Sequence, residues 1–160
     1  LKAIKFLRDN DKLNIKLVFS GKDRGYKKIL IDYIKKNKLD NNVFFTGYVS
    51  SEEMNYLYQK CKCVIFTSLF GPNAIPPLEA WKYKKPIICN KKLKDVEKND
   101  GFLVDVNSPY KVATAIKKVV FKRYPKKLLI NGTKKLANIE NNNQKRYQLL
   151  GNIVENKFKN

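Results

Sequence analysis

The stretch Ser68–Trp81 (SLFGPNAIPPLEAW) holds the residue types from which a phosphate cradle can be built. Pro72, Pro76, Pro77 and Gly71 fall between an apolar run and an amphipathic segment. Proline suits the first helical position, where its missing N–H breaks no hydrogen bond and its φ is preset, so a helix is expected to start at Pro76 or Pro77. The amides of Asn73, Ala74 and Ile75 then point at one spot ahead of that helix. With the positive end of the helix dipole behind them, they suit a diphosphate. Glu79 is expected in the first turn of the same helix. A carboxylate there complements the dipole, which is a purely structural use; it can also accept hydrogen bonds from a diol, such as the two hydroxyls of a ribose. These residues alone leave both uses open.

Two further glycine-bearing segments end apolar runs, Gly21–Lys22 and Gly47–Tyr48. Lys22 is either a ligand-facing cation or a solvated loop residue, and Tyr48 is an aromatic at a strand end. Other chemistries are excluded or weak. The chain has no His, which removes imidazole acid–base work, Ser-His triads and His zinc sites. Cys61-x-Cys63 has no further ligands for zinc, and Cys89 closes an apolar strand as a core filler. No metal site is expected. Three cysteines are an odd and sparse set, unlike a disulfide framework, and they fit a reducing compartment.

The elements that must position these groups alternate along the chain. Residues 1–9 place Ala3, Ile4 and Leu7 at helical spacing, and Ile15–Ser20 reads as a buried strand ending at Gly21. Tyr26–Asn37 has Ile29, Leu30, Tyr33 and Ile34 on one helical face and lysines on the other. Val43–Phe45 is a strand stopped by Gly47, and Ser50 or Ser51 caps a helix that turns Met54, Leu57 and Tyr58 inward. Cys63–Thr67, Pro86–Cys89 and Gly101–Val104 are apolar strands. Ser108–Lys122 is a basic amphipathic helix with Val112, Ala115, Ile116, Val119 and Val120 as its stripe. The tail, Pro125–Phe158, reads as one or two helices with a break at Asn141–Asn143.

Near-continuous apolar strands alternating with helices predict a doubly wound parallel sheet with helices on both faces. Ligands of such sheets bind beyond the carboxyl ends of the strands, which is where the three candidate segments lie. The length, 160 residues, is that of one domain, and the start at Leu1 reads as the middle of something longer. No apolar run reaches the ~18 residues of a membrane-spanning helix.

The formal net charge of +20 admits two origins. One is attraction to a polyanion. The other is codon drift: 30 of the 34 cations are Lys, beside 18 Asn and 13 Ile, all encoded by A+T-rich codons. Base-reading proteins lean on Arg forks, and four Arg argue against nucleic acid as a partner. From Asn107 to Asn160 there are 13 basic and 2 acidic residues, so an anionic membrane surface stays open as a peripheral contact.

LVFSGK, VFFTGYVSSEEMNYLYQKCKCVIFTSLF, IPPLEAWKYKKPIICN and GFLVDVNSP, in this order and spacing, resemble the C-terminal half of the retaining family 4 (group 1) glycosyltransferases of GT-B fold. The resemblance covers residues 1–125. It implies a Rossmann-like nucleotide-sugar-binding domain over 1–125 that lacks its first strand, with residues 126–160 as C-terminal helices packed on it. It further implies transfer of a hexose from a nucleotide-diphosphate sugar to a glycan or lipid-linked acceptor, in polysaccharide- or lipopolysaccharide-type synthesis. The acceptor would bind through an N-terminal domain. The setting would be the cytoplasm or the inner face of the membrane, with no metal and no cofactor beside the donor.

By the same resemblance the loop before PPLEA holds the diphosphate and sugar through Asn73, Ala74 and Ile75. Glu79 matches the glutamate expected on the ribose, Gly47, Tyr48 and Val49 match the loop against the base, and Gly21 and Lys22 lie at the neighbouring strand end. The chain also departs from the pattern. The family's first motif glutamate, eight positions before the second, falls at Gly71. The Arg and Lys that follow the family's first strand would precede Leu1. Asp95 stands where the family has a Glu. These departures keep a second reading in view, a non-catalytic α/β nucleotide-binding or interaction module with a degenerate sugar site.

Overall fold

A computed structural model describes residues 1–69, 75–93, 96–121 and 125–157, with side chains as far as Leu150. The chain alternates helices and parallel strands: α1 (Lys2–Asp11), β1 (Leu17–Ser20), α2 (Lys27–Lys36), β2 (Val43–Gly47), α3 (Ser51–Lys60), β3 (Val64–Phe66), α4 (Ile75–Lys82), β4 (Ile87–Asn90), β5 (Phe102–Val104), α5 (Pro109–Phe121) and α6 (Lys126–Lys157). β1 pairs with β2, and β3, β4 and β5 pair in that order, all in parallel. This is the predicted α/β class. The ladders nevertheless form two sheets, with no pairing between β1 and β3 among the described residues.

One apolar core joins the two sheets. Ala3, Ile4 and Leu7 of α1 meet Val112, Ala113, Ile116 and Val119 of α5, and Leu17, Phe19, Phe45, Ile65 and Phe102 pack on that cluster from both sheets. Phe19 and Phe45 stack across β1 and β2 at 5.3 Å. Lys117 of α5 bonds to Asp11 of α1 at 2.6 Å, and Arg8 donates to the carbonyls of Asn37 and Lys38 after α2. On the β1–β2 pair Val18 and Phe44 remain 45% and 42% exposed. This pair is therefore covered on one face, against the expectation of a strand buried on both.

A second cluster, with Ala80 and Trp81 of α4, Ile87 and Cys89 of β4, Leu93 and Val96, lies on the other side of β4. α6 seats on it through Leu136. The expected break at Asn141–Asn143 is absent: α6 is continuous from Lys126 to Lys157. Asn is a poor helix former but costs well under 1 kcal/mol per residue. Without a Pro or a capping partner, three of them do not stop a helix already nucleated on Trp81. Residues 141–150 are exposed throughout.

Candidate functional site

The carboxyl ends of β1 and β2 form the first part of the site. Gly21 and Gly47 have φ of 127° and 69°, the left-handed half of backbone space that glycine enters without a Cβ clash. The Gly21 amide donates to the Gly47 carbonyl at 2.9 Å, which carries the pairing one step beyond β1. Here opens a cleft of about 200 Å³, lined among others by Phe19, Gly21, Lys22, Arg24, Tyr26, Lys27 and Gly47. The Asp23 carboxylate accepts from the amides of Gly25 (2.9 Å) and Lys27 (3.1 Å), so its charge serves the start of α2. Lys22, Arg24 and Lys27 then leave the cleft cationic. Lys22 Nζ stands 5.4 Å from the Tyr48 ring centroid, and Tyr48 is 75% exposed.

The loop after Gly47 is anchored by a capping box. Ser50 Oγ accepts from the Glu53 amide at 3.2 Å, and the Glu53 carboxylate accepts from the Ser50 amide at 2.7 Å. Two orphan amides of α3 are thereby satisfied reciprocally. This fixes the end of Gly47–Ser50 and holds half-buried Val49 just ahead of the helix. Of the two serines open as caps, Ser50 is the one used.

The second part of the site lies on α4. Its described helix already includes Ile75, ahead of Pro76 and Pro77, so Glu79 lies past the first turn and not within it as expected. There its charge no longer complements the helix end. Instead the Glu79 Oε2 accepts from the Tyr58 hydroxyl of α3 at 2.6 Å. The Tyr58 ring stacks on Tyr83 at 5.3 Å and 5°, and the Tyr83 hydroxyl donates to Asn55 of α3. Burial, then the bond to Glu79, push the Tyr58 hydroxyl far above its ordinary pKa, so it remains a donor.

Gly21, Lys22, Gly47 and Tyr48 thus come together at one place, while Ile75 and Glu79 sit on α4, beyond β3. Gly71, Asn73 and Ala74, the remaining candidates, and Asp95 lie outside the described residues. Sequence reasoning missed Arg24, Lys27 and Tyr58. Arg24 and Lys27 were legible from Asp23, whose spacing to Gly25 and Lys27 is that of an Asx-type turn opening a helix. Nothing local marked Tyr58, because its partner is 21 residues away.

Burial pushes the Cys63 and Cys89 thiols up to about 12 and raises Cys61 as well. Among the described residues no cluster of three metal-ligating side chains occurs, and no helix is long and apolar enough to cross a membrane.

Parallel strands alternating with helices, with glycine-hinged carboxyl ends that carry cations, define a Rossmann-like α/β domain. The chain belongs to the glycosyl transferases group 1, whose family model matches residues 1–146. Over 109 residues it is 24% identical to the O-antigen chain mannosyltransferase B of Escherichia coli, covering 67% of this chain and 29% of that one. A crystal structure of Anabaena Alr3699/HepE in complex with UDP superposes with a TM-score of 0.71 at 21% identity, over 86% of this chain and 41% of the other. The C-terminal domain of a glycosyl transferase group 1 family protein (LpcC) from Francisella tularensis gives 0.66 at 23% identity, over 86% and 75%. The chain therefore spans well under half the length of the mannosyltransferase and of HepE, and its fold is that of a GT-B C-terminal domain.

Proposed function

We propose that this chain is the donor-binding domain of a retaining family 4 glycosyltransferase. It would hold a nucleotide-diphosphate hexose for transfer to a glycan or lipid-linked acceptor in surface polysaccharide synthesis at the cytoplasmic side of a membrane. The observation that carries this is the cationic, glycine-lined cleft at the ends of β1 and β2, beside the exposed Tyr48. The similar Anabaena structure is a complex with UDP. In this reading Gly47–Val49 and the cleft take the nucleoside, and Glu79 accepts from the ribose hydroxyls. By the family resemblance the amides of Asn73, Ala74 and Ile75 would serve the diphosphate, and fixed dipoles and lysines would stabilise the leaving group without a metal.

The divided sheet fits the same reading. In the doubly wound order the strand ahead of α1 lies between the strands here called β1 and β3, the two that do not pair. We assign that gap to such a strand. The acceptor belongs to a second domain across the cleft, and the basic helices are free to face anionic lipid.

The test is calorimetric titration of the 160-residue chain with UDP, GDP and their hexose conjugates, alongside Glu79→Ala. Micromolar to millimolar binding of one nucleotide, weakened in the variant, is expected. Binding of none of them, or unchanged affinity in the variant, rejects the donor site. The replacement of the first motif glutamate by Gly71 favours a second reading, a binding module without transfer. Affinity for the free diphosphate equal to that for every sugar conjugate would select it.

A further inference from the structure

On the donor-site reading, the Glu79 carboxylate alone has to discriminate a ribose. A carboxylate on a two-bond stem has several rotamers, and its two oxygens offer about four acceptor sites. To recognise a vicinal diol it must be held in one orientation. Glu79 is held through one of its oxygens. Its Oε2 is occupied by the Tyr58 hydroxyl at 2.6 Å, the length of a short bond to a charged acceptor. Among the described residues the Tyr58 hydroxyl is the side-chain donor seen on this carboxylate.

Tyr58 is itself fixed twice over. Its ring lies flat on Tyr83, 5.3 Å between centroids and 5° between planes, and α3 is tied to the segment just after α4 by the Tyr83 hydroxyl, which donates to the Asn55 side chain, and by Lys85 Nζ, which donates to the Gln59 carbonyl at 2.8 Å. The hydroxyl therefore approaches Glu79 from a rigid platform made of both helices. Its proton is retained because burial and the neighbouring carboxylate disfavour the phenolate.

We propose that Tyr58 is a positioning residue: its hydroxyl locks the Glu79 carboxylate in the orientation that reads the 2′- and 3′-hydroxyls of a ribonucleotide. Tyr58 touches no substrate. It sets the ribose selectivity of the site through Glu79 and leaves contacts to base and phosphate unchanged.

The experiment compares UDP (or the nucleoside diphosphate that binds best) with its 2′-deoxy and 3′-deoxy analogues, on the wild-type chain, Tyr58→Phe, Glu79→Gln and the double variant. Tyr58→Phe keeps the ring on Tyr83 and removes one oxygen. It should melt cooperatively, bind the deoxy analogues as wild type does, and lose about fivefold in preference for the ribonucleotide. The double variant should be no less selective than Glu79→Gln alone, since the hydroxyl acts through that carboxylate. Unchanged selectivity in Tyr58→Phe overturns the proposal, and so does an equal loss for ribo and deoxy ligands, which would mark a merely structural tyrosine. Should Tyr58→Phe fail to fold, Tyr58→Leu is the second hydroxyl-free variant, read the same way. If wild type binds no nucleotide, the donor reading falls and takes this one with it. If wild type prefers the ribonucleotide and Tyr58→Phe does too, Tyr58 alone is rejected.

Discussion

Gly132 of α6 lies directly against the indole of Trp81: a Cβ at that position would stand 2.2 Å from Nε1 and 2.4 Å from Cδ1. The indole cannot retreat, because Trp81 is 2% exposed and its Nε1 donates to the Asp100 carbonyl at 3.2 Å. Gly132→Ala gains about 1 kcal/mol of helix propensity. The overpacking it forces costs about 1–3 kcal/mol, and the rigid ring makes the clash the larger effect. The variant is expected to melt lower, with a changed emission of Trp81, the chain's single tryptophan. A melting temperature at or above wild type would show that α6 does not bear on the indole.

The same seat is reinforced by charge, and this makes stability depend on alkaline pH. Lys135 of α6 bonds to Asp100 at 3.1 Å and to Glu97 at 3.2 Å. Partial burial alone would lower its pKa, but those two bonds raise it above the ordinary 10.5. A raised lysine contributes stability that is complete below about 10.5 and lost as pH climbs through the folded value. Cys63 and Cys89 act in the same direction. Their thiols ionise near 9.0 when unfolded and only at about 12 when folded, so the unfolded chain is favoured as pH rises from 9 to 12. Melting temperature should hold between pH 7 and 8.5 and fall from pH 9 to 11 through the thiols, with Lys135→Met differing from wild type only above about pH 10.5. A flat profile to pH 11 would contradict the thiol assignment, and identical profiles of wild type and Lys135→Met above pH 10.5 the lysine one.

Thiol chemistry at neutral pH follows from the same shifts. Only a minute fraction of Cys63 and Cys89 is thiolate at pH 8, and the thiolate is the attacking form. Cys61, half-buried and less strongly shifted, should be alkylated first by iodoacetamide, with Cys89 protected until the chain unfolds. Mass spectrometry of partly alkylated protein reads the order, and early modification of Cys89 would place it at the surface.

The cleft at β1 and β2 makes an electrostatic prediction. Lys22→Ala and Lys27→Ala should each weaken nucleoside-diphosphate binding about two- to fivefold at low salt, with a smaller penalty as salt is raised. Tyr48→Ala should weaken binding of nucleotide and nucleoside alike, because a ring contact does not depend on phosphate charge. Titrations at two ionic strengths separate these. Equal salt dependence for all three variants would remove Tyr48 from the base side.

Ser50→Ala removes the capping box that ends the Gly47–Ser50 loop and should cost about 1 kcal/mol. Chemical denaturation measures it, and no change would mean that the loop is held from elsewhere.

The sequence by itself determined the alternation of elements, because apolar period and punctuation are local: Ala3, Ile4 and Leu7, the VIF of β3 and the stripe Val112–Val119 each carry their own signal. It also determined where β1 and β2 end, since Gly21 and Gly47 both fall where an apolar run must stop. Tertiary structure decided what local signals do not contain. α4, already helical at Ile75, carries Glu79 past its first turn and gives it Tyr58, a partner set by the packing of α3 on α4. α6 runs through three asparagines because its seating on Trp81 through Gly132 and Leu136 outweighs their weak propensity. Val18 and Phe44 read as core, yet stay exposed, because a strand's second face is buried only if some other element arrives to cover it. Periodicity shows which residues seek cover. Only the assembled chain decides which of them obtain it, because that depends on contacts between segments far apart in sequence.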